Sequence, residues 1–515
     1  MRSFLKFCLA CSLVWAPGCA MGYAQSAATL YTFPPTYNGS GANPIGLIAD
    51  AAGNLYGVAV NGGPTTTGIT CLPPGCGEIY ELVNPGNSFQ PWTEKTLYAF
   101  AGSDGCEPEG RLTMGYAGNL YGVESGDGCD KIAAVFELSP SDGGAWTKQT
   151  IYTSSGGGVN PALAIDSDGN LYGTSSSYAF ELVAPAAPGG VWNFEQIAIV
   201  ADATGGLAWF GGRLYGTAHS SAGYPYGQVF EIAKVPGGKG TWAATAIATF
   251  AGGTDGEVPP VYPEPPVQAL SLTMPKAGVI FGLSTATVYE LRKQSDGTWV
   301  KTNLSSYDGG DGSSAWALTA SANGKHLFAP GGPSGGGATE WSAPTDGGTA
   351  WTANTFSFPE ASGVSPMGNV VIDDDGLGVF LTSYFTTSAV EHVSGLVPIG
   401  APFKTLDEQG SACIQVSYPA TGEVKLTNTC ARVVDFWYCA QAGAKGTDAC
   451  TEPGSNLGIF DTGYLDAKKS VALAVTLGAG QVASGWAQSC DEGEYPVLTT
   501  NKKGVQSLDC GVPVN

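Results

Sequence analysis

The residues of this chain best equipped for chemistry are aspartates set in short turns and in the connections between repeated segments. Asp166-Ser167-Asp168-Gly169-Asn170 and Asp373-Asp374-Asp375-Gly376 carry carboxylates at the short spacing that calcium loops use. Neither continues to the distant glutamate that completes an EF-hand loop. Asp-Gly and Asn-Gly are also the commonest hairpin turns, because these residues tolerate positive φ, and turns are the expectation here. Asp104, Asp255, Asp308 and Asp311 form a second group in Gly-rich connections. Together they could ring the channel mouth and hold a cation such as calcium, but no cofactor is expected. The three histidines, His219, His326 and His392, fall in different repeats, which argues against a histidine metal site. The chain contains no H-E-x-x-H pair or Walker loop.

The elements that must position these groups repeat. Gly53-Asn54-Leu55-Tyr56-Gly57 returns as Asn119-Leu120-Tyr121-Gly122, Asn170-Leu171-Tyr172-Gly173 and Arg213-Leu214-Tyr215-Gly216. Weaker copies stand at Val279-Ile280-Phe281-Gly282, His326-Leu327-Phe328 and Gly378-Val379-Phe380, making seven. Such a period marks a solenoid, a propeller or an array. Each repeat holds four short apolar runs bounded by Gly, Asp and Asn, the pattern of antiparallel hairpins; in the first repeat they are 45–49, 54–58, 78–83 and 92–100. The third run recurs seven times, with Glu81, Glu137, Glu181, Glu231, Glu290, Glu340 and Glu391 at one place, but the fourth recurs six times. The missing copy stands at the other end, where Ala28-Thr29-Leu30-Tyr31-Thr32-Phe33 matches Lys95-Thr96-Leu97-Tyr98-Ala99-Phe100. A ring closed by its N-terminal strand requires that exchange, and a solenoid, whose ends never meet, does not. The fold expected is an all-β seven-bladed β-propeller over residues 25–400. Seven equivalent glutamates, and Tyr56, Tyr121, Tyr172 and Tyr215, then read as blade packing, since an active site needs one unlike constellation.

The set G-N-L-Y-G, V-F-E-L and a loop such as Gly102-Ser103-Asp104-Gly105 or Gly253-Thr254-Asp255-Gly256 resembles the Gloeo-Verruco (GloVer) tandem repeat of bacterial exported proteins. The resemblance covers about residues 28–400 and is most specific in the first four repeats. It implies export and a propeller-like array, and transfers no catalytic residue.

Residues 1–24 read as a signal peptide: Arg2 and Lys6 precede an apolar stretch at 7–16, and Gly22-Tyr23-Ala24 offers a cleavage site. A lipid-modified Cys19 is the competing reading. No later run reaches the ~18 apolar residues of a membrane helix. Thirteen cysteines, three of them in the leader, leave an even ten, as expected of disulfides in an oxidising compartment. Cys71, Cys76, Cys106 and Cys129 lie in the repeats. Cys413, Cys430, Cys439, Cys450, Cys490 and Cys510 lie in 403–515, which reads as a small disulfide-rich β-sandwich-like domain beyond a hinge at 398–402. Six cysteines allow fifteen pairings, all open.

A net charge of -22 repels phosphate backbones, so nucleic acid is not an expected partner. In a four-stranded blade the loops between blades and those joining second to third strand share a face. Here both classes are long: 61–77, 124–131 and 218–227 join strands, 101–111 and 251–268 join blades. A Cys106–Cys129 disulfide would clamp this face, and a Cys71–Cys76 disulfide would be local. The face is the candidate ligand site, carrying Asp104, Asp127, His219, Tyr224, Tyr226, Asp255, Asp308 and Asp311. Tyr224, Tyr226 and Tyr262 are suited to stacking on sugars. The leading expectation is a secreted, periplasmic or surface-exposed binding protein for a glycan or protein. The alternatives are a glycan-active hydrolase or lyase using acidic residues at the channel mouth, and a structural envelope component.

Overall fold

The computed structural model describes residues 26–33, 43–62, 75–86, 90–124, 133–141, 143–154, 158–175, 177–187, 189–219, 223–237, 240–258, 272–306, 317–330, 338–344, 351–356, 364–372, 379–385 and 389–394, and, beyond them, 403–406, 413–417, 423–429, 434–444, 461–465, 470–474, 481–489, 495–500 and 506–513. Residues 1–24 and 398–402, read above as a signal peptide and a hinge, Tyr262 and Asp373-Asp374-Asp375 lie outside these residues. Two compact units form: Gln25–Pro85 with Gln90–Leu396, and a second that takes in Val397–Asn515.

The first unit is a seven-bladed β-propeller. Six antiparallel four-stranded sheets are built from consecutive strands, as in Pro44–Ala49, Leu55–Ala59, Glu78–Val83 and Thr93–Ala99. The seventh takes three strands from the end of the array, Val364–Ile372, Val379–Phe385 and Ala389–Ser394, and its fourth, Ser26–Thr32, from the beginning. The pairing runs antiparallel from Ser26 opposite Ser394 to Thr32 opposite Ala389. This closure removes the open edge that the last hairpin would otherwise expose. Helix is confined, among the described residues, to the single 3-10 turn Gly253–Asp255. No helix there is long and apolar enough to cross a membrane.

Register explains the repeated motif. The glycine ending N-L-Y-G stands directly opposite the third-strand aromatic: Gly57 faces Tyr80, Gly122 faces Phe136, Gly173 faces Phe180, Gly216 faces Phe230 and Gly282 faces Tyr289. A Cβ at Gly122 or Gly173 would come within 2.4 Å of that ring's Cζ, so the two positions must be read as a pair. The rings fill the space between blades and are wholly buried, each adding about 1.5–3 kcal/mol of apolar burial. In the first and fifth blades the ring is tyrosine, and the hydroxyls of Tyr80 and Tyr289 are buried without a hydrogen-bond partner among the described residues. Tyr289→Phe is therefore expected to leave stability unchanged or raise it by up to about 1 kcal/mol, measured by chemical denaturation. A loss above that would reveal a partner for the hydroxyl.

The second unit holds three three-stranded sheets among its described residues, one pairing Glu423–Asn428 with Ser470–Ala474. Cys439 lies in the strand Val434–Ala444 and Cys510 in Gln506–Pro513, while Cys430, Cys450 and Cys490 lie outside the described residues. Cys413 is disulfide-bonded.

Candidate functional site

The two long loop classes do come together. The amide of Glu107, between the first and second blades, donates to the Cys76 carbonyl (2.8 Å), which precedes a third strand. His219 N donates to Asp202 O (2.9 Å), Val258 N to Tyr226 O (3.0 Å) and Thr285 N to Glu257 O (3.0 Å), each bond crossing from one class to the other. Cys76 and Cys106 are buried in one core cluster and each is disulfide-bonded; Cys71 and Cys129, the partners expected for them, lie outside the described residues.

Two corners of this face are built alike. Asp104 accepts from the Ala101 amide (2.8 Å) and from the Tyr98 hydroxyl, while Lys148 donates to its carbonyl, lies 5.3 Å over the Phe100 ring and pairs with the buried Glu124. Asp255 accepts from the Ala251 amide (3.0 Å), Lys301 and Asn303 (3.1 Å), and Lys301 lies 4.2 Å over Phe250. Burial alone would raise the Asp255 pKa, but the hydrogen bonds from Lys301, Asn303 and the Ala251 amide outweigh it and hold the carboxyl below its usual range. Both aspartates thus staple their own loops and engage a lysine from the next blade. Tyr226 is exposed, and its ring covers Gly252 in the turn that carries Asp255; Tyr224 is half-buried one residue away from Pro225. Asp255, Tyr224 and Tyr226 are brought into one corner, at the junction of fourth and fifth blades. Asp104 sits at the junction of first and second, and His219 at the junction of third and fourth. Asp127, Asp308 and Asp311 lie outside the described residues, and no cluster of three metal-ligating side chains occurs among the described ones.

The repeated acidic groups serve the blades. Asp166 Oδ1 accepts from the amides of Asp168 and Asn170, and its Oδ2 from Asn170 Nδ2 and the Tyr172 hydroxyl, whose single proton is shared with Glu181, also 2.9 Å away. Asp50, Asn54, Tyr56 and Glu81 repeat the arrangement, and Tyr215 donates to Glu231 at 3.0 Å. Burial first, and these carboxylates second, push the three tyrosine pKa values upward. His326, standing where other repeats have asparagine, meets the buried Glu340 at 2.8 Å. Turn and packing chemistry accounts for each of these groups.

One feature of the axis escaped sequence reasoning. The first strands of all seven blades surround a cavity of about 450 Å³. Its charged lining residue among the described ones is a cation, Arg111. Aligning the repeats on N-L-Y-G and counting back along each first strand would have drawn attention to it.

No protein-family model matches the chain, and no curated relative is similar to it. Solved structures similar in fold include a streptogramin B lyase, at 11% identity and a TM-score of 0.45, covering 72% of this chain and 97% of that one. A putative 6-phosphogluconolactonase from Bacteroides uniformis shares 13% identity at a TM-score of 0.41, covering 60% and 84%. A fungal alcohol oxidase of the AA5 family, in complex with copper, shares 12% identity at 0.45, covering 95% and 100%. At these values no residue role passes from them to this chain.

Proposed function

We propose that this chain is an exported, non-catalytic binding protein of the bacterial cell surface or exterior. Its ligand, a glycan or a protein, would lie on the face built from the between-blade and second-to-third-strand loops. The observation that carries this reading is the commitment of the acidic groups, blade by blade, to internal hydrogen bonds: Asp104 and Asp255 hold loops, and Asp50 and Asp166 hold hairpins. A rigid frame with exposed aromatic loop residues such as Tyr226 suits recognition. The GloVer-like repeat and the leader at 1–24 support export, and the cysteine-rich β-sandwich-like module serves as the accessory or attachment part.

The test is a glycan array probed with the mature chain from Gln25 onward, with and without calcium. Binding to one glycan class is expected to fall at least tenfold in Tyr224→Ala/Tyr226→Ala, with the circular dichroism spectrum unchanged. An array without signal under either condition sinks the glycan form of the proposal and leaves the protein ligand, to be sought by cross-linking to the same face. Turnover of a bound glycan would replace binding with catalysis.

A further inference from the structure

The axial cavity differs from the loop face in the sign of its charge. In each first strand one residue stands opposite the motif aromatic: Ile48, Thr113, Ala164, Ala208, Thr273, Thr319 and Val371. Two residues earlier the ring reads Gly46, Arg111, Ala162, Gly206, Ala317 and Asn369, with position 271 outside the described residues. Six described positions therefore present four small residues, one asparagine and one arginine. The strands are close at this level: the Arg111 amide donates to Pro161 O (3.2 Å), and a Cβ on Gly46, whose φ is +60°, would meet Gly110 O at 2.4 Å. Gly46 lines the cavity together with Arg111, and Ala162 pairs with Arg111 in a parallel bridge.

The hydroxyls and the side-chain amide of the lining are engaged. Thr113 and Thr319 hydroxyls donate to Leu163 O and Val370 O, both at 2.7 Å, and the Thr273 hydroxyl accepts from the Ala320 amide. Asn369 makes a closed pair with the backbone of Leu47, Oδ1 accepting at 2.8 Å and Nδ2 donating at 2.7 Å. Arg111 has no side-chain hydrogen bond or ion pair among the described residues. Protein surrounds it closely enough for burial alone to lower its pKa, and the surface it keeps belongs to the cavity it lines. An unpaired, desolvated guanidinium is a heavy burden on a fold unless something binds it.

We propose that the channel binds a small organic monocarboxylate, its carboxylate taken by the fork of Arg111 and its apolar body lying against the inner-strand wall. The planar fork matches a carboxylate with two parallel hydrogen bonds. The wall mixes polar groups with apolar side chains, Ile48, Leu112, Met114, Ile165 and Met274 among them, and a cavity of about 450 Å³ falls in the range of small-molecule sites. A single cation within a protein of net charge -22 favours a singly charged ligand over a polyanion. This site is independent of the loop-face reading and stands without it.

The experiment is thermal unfolding of the mature chain with octanoate and benzoate, against their neutral amides octanamide and benzamide. The carboxylates are expected to raise Tm by about 2–3 °C at ten times their dissociation constant, and the amides to leave it unchanged. Arg111→Met should abolish the carboxylate shift and, without ligand, melt above the wild type, because an unpaired buried cation has gone. Arg111→Lys should keep part of the shift. The proposal is overturned if the amides act like the acids, if neither acid shifts the wild type, or if Arg111→Met keeps the shift. Failure of Arg111→Met to fold, or a fall in its Tm, would also overturn it by showing that the arginine has a structural partner.

Discussion

Asp166→Ala is expected to destabilise the propeller by about 3–5 kcal/mol. Both oxygens of this buried side chain are engaged: two amides on Oδ1, at 2.9 Å each, and Asn170 Nδ2 at 3.0 Å and the Tyr172 hydroxyl at 2.9 Å on Oδ2. A hydrogen bond to an ionised group contributes roughly 1.5–3 kcal/mol, and a buried donor left unpaired costs about 1–3 kcal/mol. The four do not add, because they share one side chain and because Tyr172 keeps Glu181 as acceptor. Asp166→Asn retains an acceptor oxygen and should lose less than half as much. Asp50→Ala removes the same network from a more exposed position and should also lose less. Denaturant unfolding of the three variants gives the order directly. If Asp166→Ala is no worse than Asp50→Ala, burial does not set the strength of this network. If instead calcium chelation reproduces the loss, the turn is a metal loop after all.

That pair of outcomes shows where the sequence was legible. Asp166-Ser167-Asp168-Gly169-Asn170 has the spacing of a calcium loop and of a hairpin turn, and spacing alone does not separate them. What separates them is the donors that fill the carboxylate, and one of those, Tyr172, belongs to the recurring motif. Repetition was the stronger signal throughout. The exchange of Leu30-Tyr31-Thr32 for a missing seventh fourth strand is a property of the ring as a whole, and the pairing of Ser26–Thr32 with Ala389–Ser394 follows it. The glutamates of V-F-E-L stand opposite the motif tyrosines because equal spacing in every hairpin puts them there, as with Tyr172 and Glu181.

Arg111 was harder to see for the opposite reason. It breaks the repeat, and its meaning depends on which residues the other blades place at the same level. Only the register of the first strands aligns Gly46, Ala162, Gly206 and Ala317, each two residues before the one facing the motif aromatic, with Arg111. Asp104 and Asp255 were legible as loop residues but not as staples, because Lys148 and Lys301 come from fourth strands more than forty residues further on in the chain. A ligand site in a propeller is assembled from single residues of many blades, so sequence proximity carries little of it.

Glu78 yields the second large effect, and it is a dependence on pH. This residue opens the third strand of the first blade, is 8% exposed and accepts from the Thr96 hydroxyl (3.3 Å), which also meets Glu94 at 3.2 Å. Burial is the main cause that pushes its carboxyl up to about 7, the charge of Glu94 adds to it, and the Thr96 hydrogen bond opposes it. The folded state therefore holds a proton that the unfolded chain, titrating near 4.5, releases earlier. Below about pH 4.5 both states are protonated and the group is neutral in effect. Between about 4.5 and 7 the folded state binds more protons, so stability falls as pH rises. Above about 7 the whole penalty is present, about 3 kcal/mol for a shift of this size.

Glu78→Gln keeps the shape and abolishes the titration. Its stability is expected to match the wild type within about 1 kcal/mol at pH 4 and to exceed it by about 3 kcal/mol at pH 8, with the difference growing across the window from 4.5 to 7. Glu94→Gln removes only the charge contribution and should narrow that window from above without abolishing it. The comparison must be a difference between variant and wild type. A chain of net charge -22 loses stability through general repulsion as its carboxylates ionise, and that background is common to both proteins and cancels. A difference that stays flat from pH 4.5 to 7.5 would mean that Glu78 reaches water or a cation in solution, and that the first blade tolerates its charge as readily as the loops tolerate theirs.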